Sequence, residues 1–290
     1  MDAFKTIENN TPESCRALIM DGSAEDIEID YERGYAYLSI QDRAALIRGE
    51  MVQGRIVKIN LNKKPYEITS ALNEQPEHLR PHGIDLVLVS KNQFYVGNDK
   101  GGETSLDKIQ ENLGRPMSNI AYFDGNSTSV AARNLSQVSG INISKDQNLI
   151  FASETTAKRI SVFHRNMDNG TLKKIHRIKL DGSPDNINVS EDNSLVVATI
   201  PKVMALIQHF IALQKGEIKP SPSQVIQIKY KTTVEHDDST LRELKVRDLE
   251  KNELFMSDGT DISTASVGAI LDNRLFIGSI DDNKILICDL

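Results

Sequence analysis

One strand–turn–strand pattern returns along this chain, and it restricts the possible folds more than any other feature. IEIDYERGYAYLS (27–39) matches INISKDQNLIFAS (141–153) position for position, and INVSEDNSLVVAT (187–199) is a third ungapped copy. Between the last two, Ser144 pairs with Ser190, Asp146 with Asp192 and Leu149 with Leu195. Looser copies are DLVLVSKNQFYVGND (85–99) and ASVGAILDNRLFIGS (265–279). Apolar residues recur in them with the period of two that marks a strand. Material for further strands follows; after the 141–153 copy, Asp168-Asn169-Gly170 is a hairpin signal flanked by alternating apolar residues. Units of about 45 to 80 residues with four short strands each are blades of a β-propeller. A sandwich or barrel has short strands too, but does not repeat one sequence in register. The expected fold is therefore all-β, a five-bladed β-propeller over 15–290, after an N-terminal extension of 1–14.

Composition removes several functional classes. Of the 290 residues, 39% are apolar and 26% charged, which is ordinary globular usage rather than disorder. A net charge of -7 gives no electrostatic reason to expect nucleic acid or an anionic membrane. The longest apolar run, VMALIQHFIAL (203–213), is too short to span a bilayer and reads as a packed short helix or strand. MDAFKTIENN at the start lacks the apolar core of a signal peptide, so the chain is either not exported or begins after its signal. The two cysteines, Cys15 and Cys288, lie near opposite ends. They could clasp the first strand onto the last blade or be two separate buried thiols, and the propeller reading favours the clasp. Such a bond would point to a secreted or periplasmic setting, although a cytoplasmic one stays compatible with the sequence.

The first strand of each propeller blade lines the central channel, so residues entering those strands converge on the axis. Here they are Glu25 and Asp26, then His82 to Asp85, then Asn142, then Asp185 and Asn186. The fifth copy offers Ser263, Thr264 and Ser266. Asp and Asn also begin ordinary loops. Four copies bearing carboxylate or carboxamide oxygens at one place nonetheless suit a calcium ion better than turn chemistry does. One imidazole and no sulfur argue against zinc. His164, His176, His209 and His236 lack zinc-ligand spacing and read as surface or packing residues. GNDKGG (97–102) lacks the context and ending of a phosphate loop; it begins a long loop, through about Asn119, over the channel mouth. VEHDDSTLRELK reads as a solvated excursion before the last blade.

GSAEDIEI (22–29), RPHGI (80–84), SGINISKD (139–146), PDNINV (184–189) and the ending ASVGAILDNRLFIGSIDDNKILICDL together resemble the calcium-dependent serum paraoxonase/arylesterase family. The resemblance runs from about Cys15 to Leu290. It implies a propeller with a catalytic and a structural calcium ion. Glu25, Asn142, Asp185 and Asn186 correspond to ligands of the first. Asp26, the backbone carbonyl of Ile84, and Asp85 correspond to ligands of the second. His82 corresponds to the proposed general base, and Cys15 with Cys288 to a ring-closing disulfide.

The departures are equally specific. Family members have six blades, and a six-bladed fold is the alternative expectation; here His82-Gly83-Ile84 runs directly into what resembles the body of the third blade. The absent piece would carry the partner of the catalytic histidine. Ile84 stands where the family has an asparagine ligand, and Ile200-Pro201 where it has histidine-proline. The resemblance implies hydrolysis of a small aryl ester or lactone, with water as nucleophile activated by His82, Glu25 or Asp185. The alternative is a non-catalytic calcium-stabilised propeller that binds a protein partner. A sugar-acid lactonase of the gluconolactonase type would need a different arrangement around the metal.

Overall fold

The computed structural model describes residues 5–75, 79, 86–99, 115–236 and 242–290. Their strands form five four-stranded antiparallel sheets, the blades of an all-β, five-bladed β-propeller. Each sequence copy supplies two neighbouring strands. The first gives β2 (Ser23–Asp30) and β3 (Tyr35–Gln41), followed by β4 (Arg55–Asn60) and β5 (Ile68–Ser70). The 85–99 copy gives β6 (Leu86–Ser90) and β7 (Gln93–Asn98), then β8 (Ser118–Phe123) and β9 (Thr128–Leu135). The third sheet is β10 (Val138–Ile143), β11 (Leu149–Glu154), β12 (Arg159–Arg165) and β13 (Leu172–Lys179). The fourth is β14 (Ser183–Val189), β15 (Leu195–Ile200), β16 (Ser223–His236) and β17 (Arg242–Ser257).

The last sheet joins the two ends of the described chain. Its order is β1 (Cys15–Ile19), β20 (Lys284–Asp289), β19 (Arg274–Ser279) and β18 (Ala265–Leu271). Cys15 lies opposite Cys288 in the register, and the two are disulfide-bonded. Asn10 also exchanges backbone hydrogen bonds with Met256.

The repeat is a turn device as much as a strand pattern. Ser144 donates to Asp146 at 2.6 Å and Ser190 to Asp192 at 2.5 Å. Each aspartate also accepts the backbone amide two residues on, from Asn148 and Ser194. Side chains that accept from nearby amides hold such reversals closed. Ser190-Glu191-Asp192-Asn193 is thus an ordinary turn, and the candidate ligands Asp185 and Asn186 lie upstream of it.

Two compact units can be distinguished. One comprises 1–84, 196–227 and 253–290; the other comprises 85–195 and 228–252. Ile27, Leu38, Ile59, Val267, Phe276 and Ile287 lie in one core cluster of the first unit. Tyr95, Ile120, Ile150, Ala152 and Phe163 lie in the core of the second. These are residues of the alternating apolar positions, buried as strand periodicity requires. The apolar run near residue 203 is a helix, α2 (Val203–Gln214), after the short α1 (Arg43–Ile47). No described helix is long and apolar enough to cross a membrane.

Candidate metal and active site

Of the residues singled out by sequence, Glu25 and Asp26 lie near the start of β2, Asp185 and Asn186 near the start of β14, and Asn142 near the end of β10, each on the first strand of its sheet. In the second unit, β10 lies against β14. Gly140 permits that approach: a Cβ there would come within 2.8 Å of both the Asn186 Cα and the Asp185 carbonyl oxygen. Asp185 (9% exposed) and Asn186 (3%) are buried on β14. Their backbone is anchored from the third sheet, because the Pro184 carbonyl accepts from Thr155 at 2.8 Å and from Ser139 at 3.3 Å. Asn142 on β10 donates to the Ile187 carbonyl at 2.9 Å and accepts from the Ile143 amide at 2.8 Å. The unit thus brings Asn142 together with the strand bearing Asp185 and Asn186.

In the first unit, Glu25 (5% exposed) and Asp26 (4%) are buried on β2. The pairing of β2 with β3 slips between Ala24 and Asp26, which leaves Glu25 as the extra residue of a bulge. β10 slips at Ser139 and β18 at Ser266 in the same way. Bulges re-aim side chains, and in the repeat register Asp185 occupies the Glu25 position of its own copy. Ser266 donates 2.6 Å to the Glu25 carbonyl, and the Asp26 amide donates 3.0 Å to Ser39. Gly278 faces the Ala24 carbonyl where any Cβ would collide.

Two further residues share this register. Glu28 and Asn188 stand in their copies where Asn142 stands in its own. Asn188 is buried. Burial first, and the Asp26 charge second, push the Glu28 carboxyl up to about 8. Asp26 and Glu28 project from the same strand face, where ionising both would crowd two negative charges. A hard cation would relieve that crowding, and the donors are all oxygens. The fit has a limit: among the described residues, no three His, Cys, Asp or Glu side chains cluster as metal ligands do. Carboxamide and carbonyl oxygens would have to complete the coordination.

His82, Ile84 and Asp85 lie outside the described residues, as does most of the loop after GNDKGG. Hollows of about 410 and 270 Å³ lie along β12 and β13 and contain none of the candidate ligands.

Of the surface and packing alternatives, His209 takes the second: it is buried. Its Nδ1 faces the Lys219 carbonyl at 2.6 Å and its Nε2 faces Asp281 at 2.8 Å. Burial alone would lower its pKa, but the Asp281 carboxylate and then the Lys219 carbonyl outweigh that and raise it. Asp281 also accepts from the Thr264 hydroxyl. A histidine inside an otherwise apolar run was the available sequence signal; its partner, 72 positions away, was not visible.

The arylesterase family profile matches residues 74–290. Serum paraoxonase/lactonase 3 of Mus musculus is 24% identical over 208 residues, covering 71% of this chain and 53% of that protein. Serum paraoxonase/arylesterase 2 of Homo sapiens is 23% identical over 214 residues, 73% of this chain and 54% of that protein. Mechanosensory abnormality protein 6 of Caenorhabditis elegans is 24% identical over 208 residues, covering 71% and 51% respectively. The chain spans about half the length of these curated relatives. Asn142, Asp185 and Asn186 fall inside the family match, and Glu25 and Asp26 precede it.

Proposed function

This chain belongs to the arylesterase family, and from that premise we propose that it is a calcium-dependent hydrolase of small aryl esters or lactones. The observation that carries the reading is the buried acid–carboxamide pair Asp185-Asn186, beside Asn142, within the family match. By the resemblance, Glu25, Asn142, Asp185 and Asn186 would hold a catalytic ion, and Asp26, Asp85 and the carbonyl of Ile84 a structural one. Bound calcium supplies Lewis-acid polarisation of the substrate carbonyl.

The chain's own groups do the rest. Glu25 and Asp185 offer buried carboxyl oxygens, and Asn142 and Asn186 add neutral oxygens that orient without adding charge. By the resemblance, His82 would take the proton of the attacking water, with Glu25 or Asp185 as the alternative acceptor. The Cys15–Cys288 bond suits an oxidising compartment.

The five-blade count favours a second reading, a calcium-stabilised propeller without catalysis, since the resemblance puts the partner of His82 in the absent blade. Hydrolysis of a panel of lactones and aryl esters separates the two readings. The chain is assayed as isolated, after chelation, and with calcium restored. The hydrolase reading expects activity that disappears and returns, and a loss on the order of 100-fold in Asp185→Asn. It also expects His82→Gln to lower turnover with calcium affinity nearly unchanged. A folded, calcium-binding protein inert toward the whole panel would leave the second reading standing.

A further inference from the structure

Helix α2 is oriented against its own composition. It leaves Met204, Ile207 and Ile211 about half exposed while burying His209. Burying an imidazole in place of available apolar side chains calls for a specific return. Both ring nitrogens face acceptors, so the ring serves both only as an imidazolium, held by the Lys219 carbonyl and Asp281.

Asp281 in turn takes the hydroxyl of Thr264, which sits at φ +52°. A β-branched residue in that region is a true outlier and persists only where its surroundings over-determine it. The surroundings here are dense. Ser279 donates 2.7 Å to the Ser263 carbonyl, and the Ser221 amide donates 2.9 Å to the Ser263 hydroxyl. Two residues after Thr264 comes Ser266, the bulge residue of β18, whose hydroxyl meets the carbonyl of Glu25, the bulge residue of β2. Every residue in this series lies in the same unit.

We propose that His209 is a positioning residue for Glu25: its pair with Asp281 locks Thr264 in the left-handed conformation, and the turn so fixed sets Ser266 against the Glu25 backbone. The pair acts through the backbone and touches no substrate. Its consequence for metal affinity rests on the calcium reading above, while its consequence for the shape of β2 does not.

The test uses the full chain with His209→Gln, Asp281→Asn and the double variant His209→Gln/Thr264→Gly. Calcium chloride is titrated calorimetrically, and amide hydrogen exchange is followed over 23–30 in metal-free protein. His209→Gln is expected to weaken calcium binding about tenfold and to speed exchange over 23–30, with 149–165 unchanged. Glycine adopts the left-handed conformation unaided, so the double variant should recover most of both losses. A role confined to packing α2 would give no such recovery. Wild-type exchange in both His209→Gln and Asp281→Asn, or a double variant no better than His209→Gln, overturns the proposal. If His209→Gln does not fold, Asp281→Asn alone decides by the same exchange. Wild type that takes up no calcium would remove the functional reading, and the exchange data would still decide the positioning.

Discussion

Two buried acidic groups, Glu154 and Asp281, solve the same problem differently. Glu154 has no exposed side-chain surface and is saturated from its own sheet and that sheet's margin. Arg159 donates to it twice, at 3.0 and 2.6 Å, the Ser136 amide donates at 2.9 Å, and Ser161 and Lys174 add to the shell. Burial alone would raise its pKa, but Arg159, Ser161, Ser136 and Lys174 together hold it at about 2. Asp281 has fewer partners, and they come from separate elements: the helix through His209 and the strained turn through Thr264. A group tied within one sheet can only stabilise it. A group tying a helix to a turn can transmit position, and this turn leads to Glu25.

The contrast can be broken most forcefully at Glu154. Glu154→Gln leaves Arg159 and Lys174 half-buried without their counter-charge and should cost about 3 kcal/mol in denaturant unfolding. Calcium affinity should not change. A parallel loss of calcium binding would erase the distinction between the two groups. Next is His209→Gln, which also strips a buried partner, Asp281, and so should lower stability as well as weaken calcium binding about tenfold. A large melting shift with intact affinity would make it another Glu154.

Smaller, pH-dependent effects should have opposite signs. The folded-state pKa of Glu154 is depressed from the ordinary 4.5, so its contribution is present above about 4.5 and lost as pH falls towards 2. The stability gap between wild type and Glu154→Gln should therefore close over that range. The folded-state pKa of His209 is raised from 6.5, so its contribution is full below 6.5 and lost as pH rises through the folded value. The gap between wild type and His209→Gln should shrink on the alkaline side. Urea midpoints across pH 2 to 9, ~1 unit apart, would show both slopes or refute them.

Strand-level organisation was legible because one device recurs: alternation sets the strands, and Ser144–Asp146 or Ser190–Asp192 closes the turns. The five copies became strand pairs of five sheets, and Asp168-Asn169-Gly170 falls in the turn between β12 and β13. The bulges at Glu25, Ser139 and Ser266 were not legible, because a single-residue slip against a partner strand leaves no mark in a strand's own alternation. Glu28 and Asn188 could have been found by carrying the repeat register one position past Ile27 and Ile187. The role of α2 was hidden for another reason. An apolar run of its length fits helix or strand, and only tertiary contacts decide that its histidine faces inward. β16 and β17, of 14 and 16 residues, take in 234–236 and 242–245, both flanks of the stretch read as a charged excursion.

The most direct test of the account is a calcium titration of metal-free protein, comparing wild type with Glu25→Gln, Asp185→Asn and Glu154→Gln. Saturable binding is expected in wild type and Glu154→Gln, and binding weakened at least tenfold in each of the other two. Equal binding in all four, or no binding in folded wild type, would contradict the account.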